Sequence, residues 1–80
     1  MDNVVVIRVL DSNYLTKEIG SGYLYESEDD YLVITSMDLN PTDYIIIQYQ
    51  NQNLRASIIN SENKLFTLKL YFDPEEIWLV

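Results

Sequence analysis

The feature that most constrains the fold is a series of short runs of β-branched, aromatic and leucine residues, each followed by a cluster of turn-forming residues. Runs of this length suit strands, and their regular spacing is typical of small barrels and sandwiches. Alanine, the best helix former, is almost absent, and tyrosine, valine and isoleucine fit a pleated surface. The sequence therefore predicts an all-β protein.

We predict a closed or nearly closed antiparallel barrel of about six strands. Residues 1–80 form a single β-barrel domain in this interpretation, and residues 73–80 form a C-terminal tail or an extra edge strand. The predicted strands are Val4–Leu10, Gly22–Glu26, Tyr31–Thr35, Tyr44–Gln50, Leu54–Asn60 and Leu65–Phe72.

Three local patterns add detail to these strands. The unbroken run Val4–Ile7 predicts burial on both faces of the first strand. In the sixth strand, alternation places four large side chains on one face, and these are Phe66, Leu68, Leu70 and Phe72. Gly20 and Gly22 predict a bulge or a close backbone approach at the start of the second strand.

The charge balance limits the classes of partner. Thirteen acidic residues stand against five basic ones, which gives a net charge of −8. Affinity for nucleic acid depends on Lys and Arg that neutralise phosphates, so direct nucleic-acid binding is not expected. Two interpretations of the acidic surface remain, which are solubility alone and docking on a protein partner with a basic surface.

The chain has no Cys, which excludes disulfides and thiolate sites and favours a reducing compartment. Met1–Asn3 carries an acid where a signal peptide carries bases, and Val4–Ile7 is far too short to span a bilayer. We therefore expect a cytoplasmic protein without membrane contact.

No cofactor or metal is predicted. Common zinc sites need Cys or His, and the chain has neither. The acids between residues 26 and 30 lack the EF-hand pattern of alternate ligands with a central Gly. The Gly20–Gly22 segment lacks the Lys and Ser or Thr of a P-loop. A chain of this size also has little room to build a substrate groove around paired carboxylates.

Seven tyrosines are the most unusual part of the composition. Tyrosine is enriched at hot spots of protein interfaces and also packs well across strands. Tyr25 and Tyr31 flank an acidic hairpin, so we predict a partner-binding patch there, formed by Tyr25, Glu26, Glu28, Asp29, Asp30 and Tyr31. Trp78 is a second candidate contact residue, although the segment around it is more readily interpreted as completing the core.

Six collinear stretches resemble the N-terminal β-barrel of trypsin-like serine proteases, especially the bacterial HtrA type. They are Val4–Ile7, Gly20–Leu24, Asp30–Thr35, Asp43–Ile47, Ala56–Ile59 and Leu65–Leu70. The resemblance implies a trypsin-like half-barrel, and the chain is also of the size of SH3 and OB barrels.

The catalytic residues of that family do not carry over. The position of the family's catalytic His falls at or next to Met37, and that of its Asp falls near Lys64. The nucleophilic Ser belongs to a second barrel, which these 80 residues do not include. Because acyl transfer needs both a nucleophile and a base, the resemblance implies a degenerate barrel without protease activity.

These observations predict that the protein is not an enzyme but a protein-binding module. The leading hypothesis is a small acidic inhibitor that docks on the basic, nucleic-acid-binding surface of a partner. The alternative is an inactive protease-like barrel with a structural or self-assembling role, for example as a homodimer. An apolar face left exposed by a lone barrel, with self-association insensitive to salt, would favour this alternative.

Overall fold

The computed structural model describes residues 3–71, which form six antiparallel strands and no helix. The strands are β1 (Val4–Leu10), β2 (Thr16–Ser27), β3 (Asp30–Thr35), β4 (Tyr44–Tyr49), β5 (Gln52–Glu62) and β6 (Leu65–Tyr71). They close a barrel in the order β1-β2-β3-β6-β5-β4, with β4 paired to β1. The predicted all-β fold and small six-strand barrel are confirmed. The predicted tail at residues 73–80 lies outside the described residues.

The core is formed by the inward residues of all six strands, in the alternation that strands require. Ile7, Ile47, Val33, Leu54 and Leu68 are fully buried. In β6, Leu68 and Leu70 are buried and Phe66 packs against them, as the alternation predicts, whereas Phe72 lies outside the described residues.

The prediction that Val4–Ile7 is buried on both faces is wrong. Val5 and Ile7 enter the core, but Val4 is 43% and Val6 is 40% exposed on the outer surface. A continuous apolar run does not distinguish a strand covered on both sides from one with an apolar outer face. The outcome depends on which neighbours cover the sheet.

Several strand boundaries differ from the predicted ones. β2 begins at Thr16 rather than Gly22, because its first half pairs with the second half of β1. β5 likewise extends to Glu62 along β6. The turns after β4 and β5 are two-residue loops, Gln50-Asn51 and Asn63-Lys64, in which all four residues have positive φ. This is the geometry of type I′ hairpins.

Gly22 allows a close approach within the core, as predicted. A Cβ atom at Gly22 would lie 2.7 Å from Val33 Cγ1 and 2.8 Å from the Ile34 carbonyl oxygen. The irregular step between β1 and β2 instead occurs at Val9 and Leu10, so the glycine segment does not form the bulge.

The connection from residue 36 to residue 43 closes one end of the barrel. Leu39 is buried in the core, and Met37 packs against it and beside Gly20. The Thr35 hydroxyl donates to the Ser21 carbonyl at 2.8 Å and accepts the Met37 N–H at 3.1 Å, which anchors the start of this connection.

A smaller apolar cluster lies outside the main core. Ile46 and Leu10 are buried there, around a small space bordered by Tyr14, Tyr44 and Arg55. The rings of Tyr14 and Tyr44 lie 5.0 Å apart between centroids. Their hydrogen bond raises the pKa of the Tyr14 phenol above its ordinary value. The main core buries Ile45 and Ile47, and this cluster buries Ile46, so all three residues of the run are covered.

Candidate protein-binding site

The β2–β3 hairpin carries six of the seven residues predicted to bind a partner. Its loop is Glu28-Asp29, and its last pairs are Ser27 with Asp30 and Glu26 with Tyr31. Glu28 has a φ of 55°, a left-handed conformation that is uncommon for a residue with a side chain. The hairpin is therefore tight, and it presents Glu28 and Asp29 at its exposed tip.

Strand alternation divides the remaining four residues between two directions. Glu26 and Tyr31 follow the inward positions of β2 and β3 and lie at the open end of the barrel, while Tyr25 and Asp30 occupy outward positions. The predicted residues therefore surround one end of the molecule rather than forming a flat patch.

Glu26 and Tyr31 are linked directly. The Tyr31 hydroxyl donates a hydrogen bond to the Glu26 carboxylate, and this bond, with the carboxylate charge, raises the pKa of the Tyr31 phenol. Partial burial and the nearby Tyr49 phenol act in the same direction. Hydrogen bonding to the neutral phenol and a nearby negative charge both oppose ionisation. The arrangement places a tyrosine ring beside a carboxylate at the rim.

A cleft of about 160 Å³ opens at this end of the barrel. It is lined by Asn3, Leu24, Tyr25, Glu26, Tyr31 and Tyr49. The sequence analysis did not assign Asn3, Leu24 or Tyr49 to this site. Leu24 directly precedes Tyr25 in β2. Asn3 and Tyr49 reach the cleft through the β1–β2 and β1–β4 contacts, which the order of residues along the chain does not reveal.

Asp30 is partly neutralised, which the sequence analysis did not foresee. Its carboxylate lies 3.6 Å from Lys69 Nζ on the neighbouring strand β6, and the same ammonium group lies 5.9 Å from the centroid of the Tyr71 ring. An exposed ion pair of this kind adds little stability, but it does offset one negative charge of the patch. Among residues 3–71, no Lys or Arg forms an ion pair with Glu26, Glu28 or Asp29.

Trp78, the seventh predicted contact residue, lies outside the described residues, so its assignment stays a prediction. Within residues 3–71, no group of three or more His, Cys, Asp or Glu side chains is placed to hold a metal ion. The same part of the chain contains no helix with the length and hydrophobicity needed to cross a membrane.

The positions that resemble the catalytic His and Asp of trypsin-like proteases lie at the opposite end of the barrel. Ser36 and Asp38, on either side of Met37, line a cleft of about 400 Å³ together with Lys64, Ser61 and Phe66. Met37 itself is turned toward the core. A thioether and an ammonium group do not provide the base that activates a nucleophile.

Comparison with known proteins adds no assignment. No protein-family model, curated protein or solved structure matches this chain.

Proposed function

We propose that this protein is a non-enzymatic binding module that docks the end of its β2–β3 hairpin on a basic surface of a partner protein. The observation that carries the proposal is the juxtaposition of Glu26, Glu28 and Asp29 with the rings of Tyr25 and Tyr31 at one exposed end. Carboxylates there supply charge, and the tyrosines supply rigid contact area with a polar end.

The distribution of charge supports this docking mode. Residues 3–71 contain nine acids and five bases, and Lys17 and Lys69 are engaged with Asp43 and Asp30. The tip of the β2–β3 hairpin therefore keeps its negative potential, which steers a basic partner toward it. The same potential repels nucleic acid, so a protein partner is favoured.

The Glu26–Tyr31 pair supports recognition of cationic side chains in particular. A carboxylate that accepts one phenol hydrogen bond retains lone pairs for a Lys or Arg donor. The cleft is also lined by three tyrosines, and the face of an aromatic ring attracts a cation.

An inhibitory role is part of the proposal. A small acidic domain in a basic groove blocks the access of nucleic acid to that groove, as phage-encoded inhibitors and other nucleic-acid mimics do. A cytoplasmic location suits it, because the Cys-free chain needs no oxidising environment.

The test is a pull-down from host lysate with the purified protein, eluted in steps of rising salt. A matched pair of double variants distinguishes an effect at the proposed contact from a general effect of lowering the net charge. Glu28→Gln with Asp29→Asn removes two charges at the proposed contact, and Asp38→Asn with Glu62→Gln removes two exposed charges elsewhere. We expect a specific partner that elutes from the first variant at lower salt than from the wild type. The same partner should elute from the second variant at the same salt as from the wild type. Equal weakening by both variants, or no specific partner, contradicts the proposal.

A second candidate function is an inactive protease-like barrel with a structural role. It is supported by the shared cleft that Lys64 forms with Ser36 and Asp38, because the two positions that resemble the catalytic Asp and His then meet at one end of the barrel. An experimental structure superposed on protease N-terminal barrels tests it. Met37 and Lys64 should overlay the catalytic His and Asp positions of those barrels. A barrel with a different shear number would exclude a relationship to the protease family.

A further inference from the structure

The outer surface of β1, β2 and β3 contains a contiguous group of apolar side chains. Strand alternation points Val4, Val6, Tyr23 and Ile34 outward, and we refer to these four residues as the outer apolar face. The ladder places Val4 beside Tyr23 and Tyr23 beside Ile34 across three neighbouring strands. Val4, Val6 and Tyr23 are exposed, and Ile34 is partly exposed.

The other half of the barrel is more mixed. Outward positions of β4, β5 and β6 include the polar or charged Gln48, Asn53, Arg55, Ser57, Thr67 and Lys69 beside the exposed Tyr44, Ile59, Leu65 and Tyr71. An antiparallel sheet with one solvated face normally has polar residues on that face. The outer apolar face departs from this pattern, and contiguous exposed apolar surface of this kind marks contact sites.

The face also combines a projection with a recess. Tyr23 is 66% exposed, the most of any tyrosine among residues 3–71. Tyr23 forms one wall of a cleft of about 240 Å³, where Ser21 and Ser36 contribute small side chains and Ile34 and Leu65 form other parts of the walls. None of the residues lining this cleft is charged.

We propose that the outer apolar face binds a second copy of this chain in a two-fold symmetric dimer, with Tyr23 of each protomer entering the cleft beside Ser21 of the other. A two-fold interface requires that one patch be complementary to itself. A projecting ring next to a recess on the same face meets that requirement. The hydroxyls of Ser21 and Ser36 at the cleft can pair with the phenol of the partner's Tyr23.

Charge gives a basic partner no advantage at this face. Two chains of net charge −8 repel one another over most of their surfaces, so an uncharged face is where they approach at least cost. A basic partner gains nothing there and is drawn to the hairpin tip. A dimer through this face therefore does not depend on the function proposed for the acidic end.

The test is sedimentation equilibrium of the purified full chain over a concentration series at low and high salt. We expect a monomer–dimer equilibrium that high salt leaves unchanged or strengthens, because burial of apolar surface does not rely on Coulomb attraction. Tyr23→Ser should weaken the dimer about tenfold or more, as loss of a central aromatic anchor does. Ser21→Leu, which fills the recess, should weaken it as well.

Ile59→Ser is the matched control, because Ile59 is exposed and apolar but lies on β5, outside the face. It should leave the dimer unchanged, and circular dichroism should show that every variant is folded. A wild-type chain that stays monomeric at the highest concentration overturns the proposal. A dimer that Tyr23→Ser and Ser21→Leu leave intact, or that Ile59→Ser weakens equally, also overturns it.

Discussion

Glu26 and Tyr31 face each other across the last pairs of the β2–β3 ladder, and the Tyr31 hydroxyl donates a hydrogen bond to the Glu26 carboxylate. The bond joins the two features that the sequence analysis assigned to the candidate site, which are acidic charge and tyrosine. It also makes the ionisation of Tyr31 a reporter of the site, because that phenol holds its proton more tightly than a free tyrosine does.

Replacement of Glu26 should lower the pKa of Tyr31 toward its ordinary value. Glu26→Gln removes the carboxylate charge that opposes formation of the phenolate. The measurement is a pH titration of the Tyr31 ring carbon that bears the hydroxyl, followed by NMR. Glu28→Gln is the control, since it removes an equal charge from the hairpin tip without touching the hydrogen bond. If both variants lower the pKa of Tyr31 equally, that pKa is raised by the overall negative charge of the hairpin and not by Glu26 in particular.

The same pair should make stability depend on pH in the alkaline range. A raised pKa in the folded chain means that the stabilisation from Tyr31 is complete below the ordinary value of 10.0 and is lost as the pH rises through and above it. The difference in unfolding free energy between wild type and Tyr31→Phe should therefore shrink above that pH, as measured by urea unfolding. A difference that stays constant across the range would show that the hydrogen bond contributes nothing.

The presence of the strands could be predicted from the sequence, because the alternation of inward and outward residues is a local signal. Phe66, Leu68 and Leu70 share the inward face of β6, as the period of two requires. The acidic hairpin was predictable for the same reason, since its residues are adjacent along the chain. Local patterns therefore identify six strands and one cluster of candidate contact residues.

Features that depend on pairing between distant strands could not be predicted. The ion pair of Asp30 with Lys69 requires β3 to lie beside β6, and the position of Tyr49 at the cleft requires β4 to pair with β1. The exposure of Val6 likewise depends on which neighbours cover the outer face of β1. No run or spacing in one sequence carries this information.

Addition of a methyl group at Gly22 should destabilise the barrel. Gly22→Ala brings the new Cβ within 3.0 Å of Val33, Ile34 and Ile7, where backbone and core side chains cannot easily move. Overpacking of this kind costs about 1–3 kcal/mol. Gly20→Ala is the matched control, because the three atoms nearest its new Cβ all belong to the flexible Met37 side chain. Urea unfolding should show the larger loss for Gly22→Ala, and equal losses would argue against the close approach.

Asp11 should stabilise the connection between β1 and β2. Its carboxylate accepts the backbone N–H groups of Asn13 at 2.8 Å and Leu15 at 3.1 Å. Asp11→Ala leaves both donors without this acceptor and should lower the unfolding free energy by about 1–2 kcal/mol. Asp11→Asn keeps a side-chain oxygen and should recover part of the loss. Asn13→Ala, which retains its N–H, should have a smaller effect than Asp11→Ala, and the reverse order would contradict this role.

Glycine at position 64 should stabilise the β5–β6 hairpin. Asn63 and Lys64 have φ values of 54° and 66°, and Asn-Gly is the preferred pair for a type I′ turn. Because glycine adopts positive φ without steric cost, Lys64→Gly should raise the unfolding free energy by about 0.5–1 kcal/mol. Lys64→Ala is the control, since it removes the same charge but keeps a Cβ. Thermal unfolding should rank Lys64→Gly above both wild type and Lys64→Ala. If Lys64→Ala stabilises equally, the gain comes from removal of the charge and not from the turn geometry.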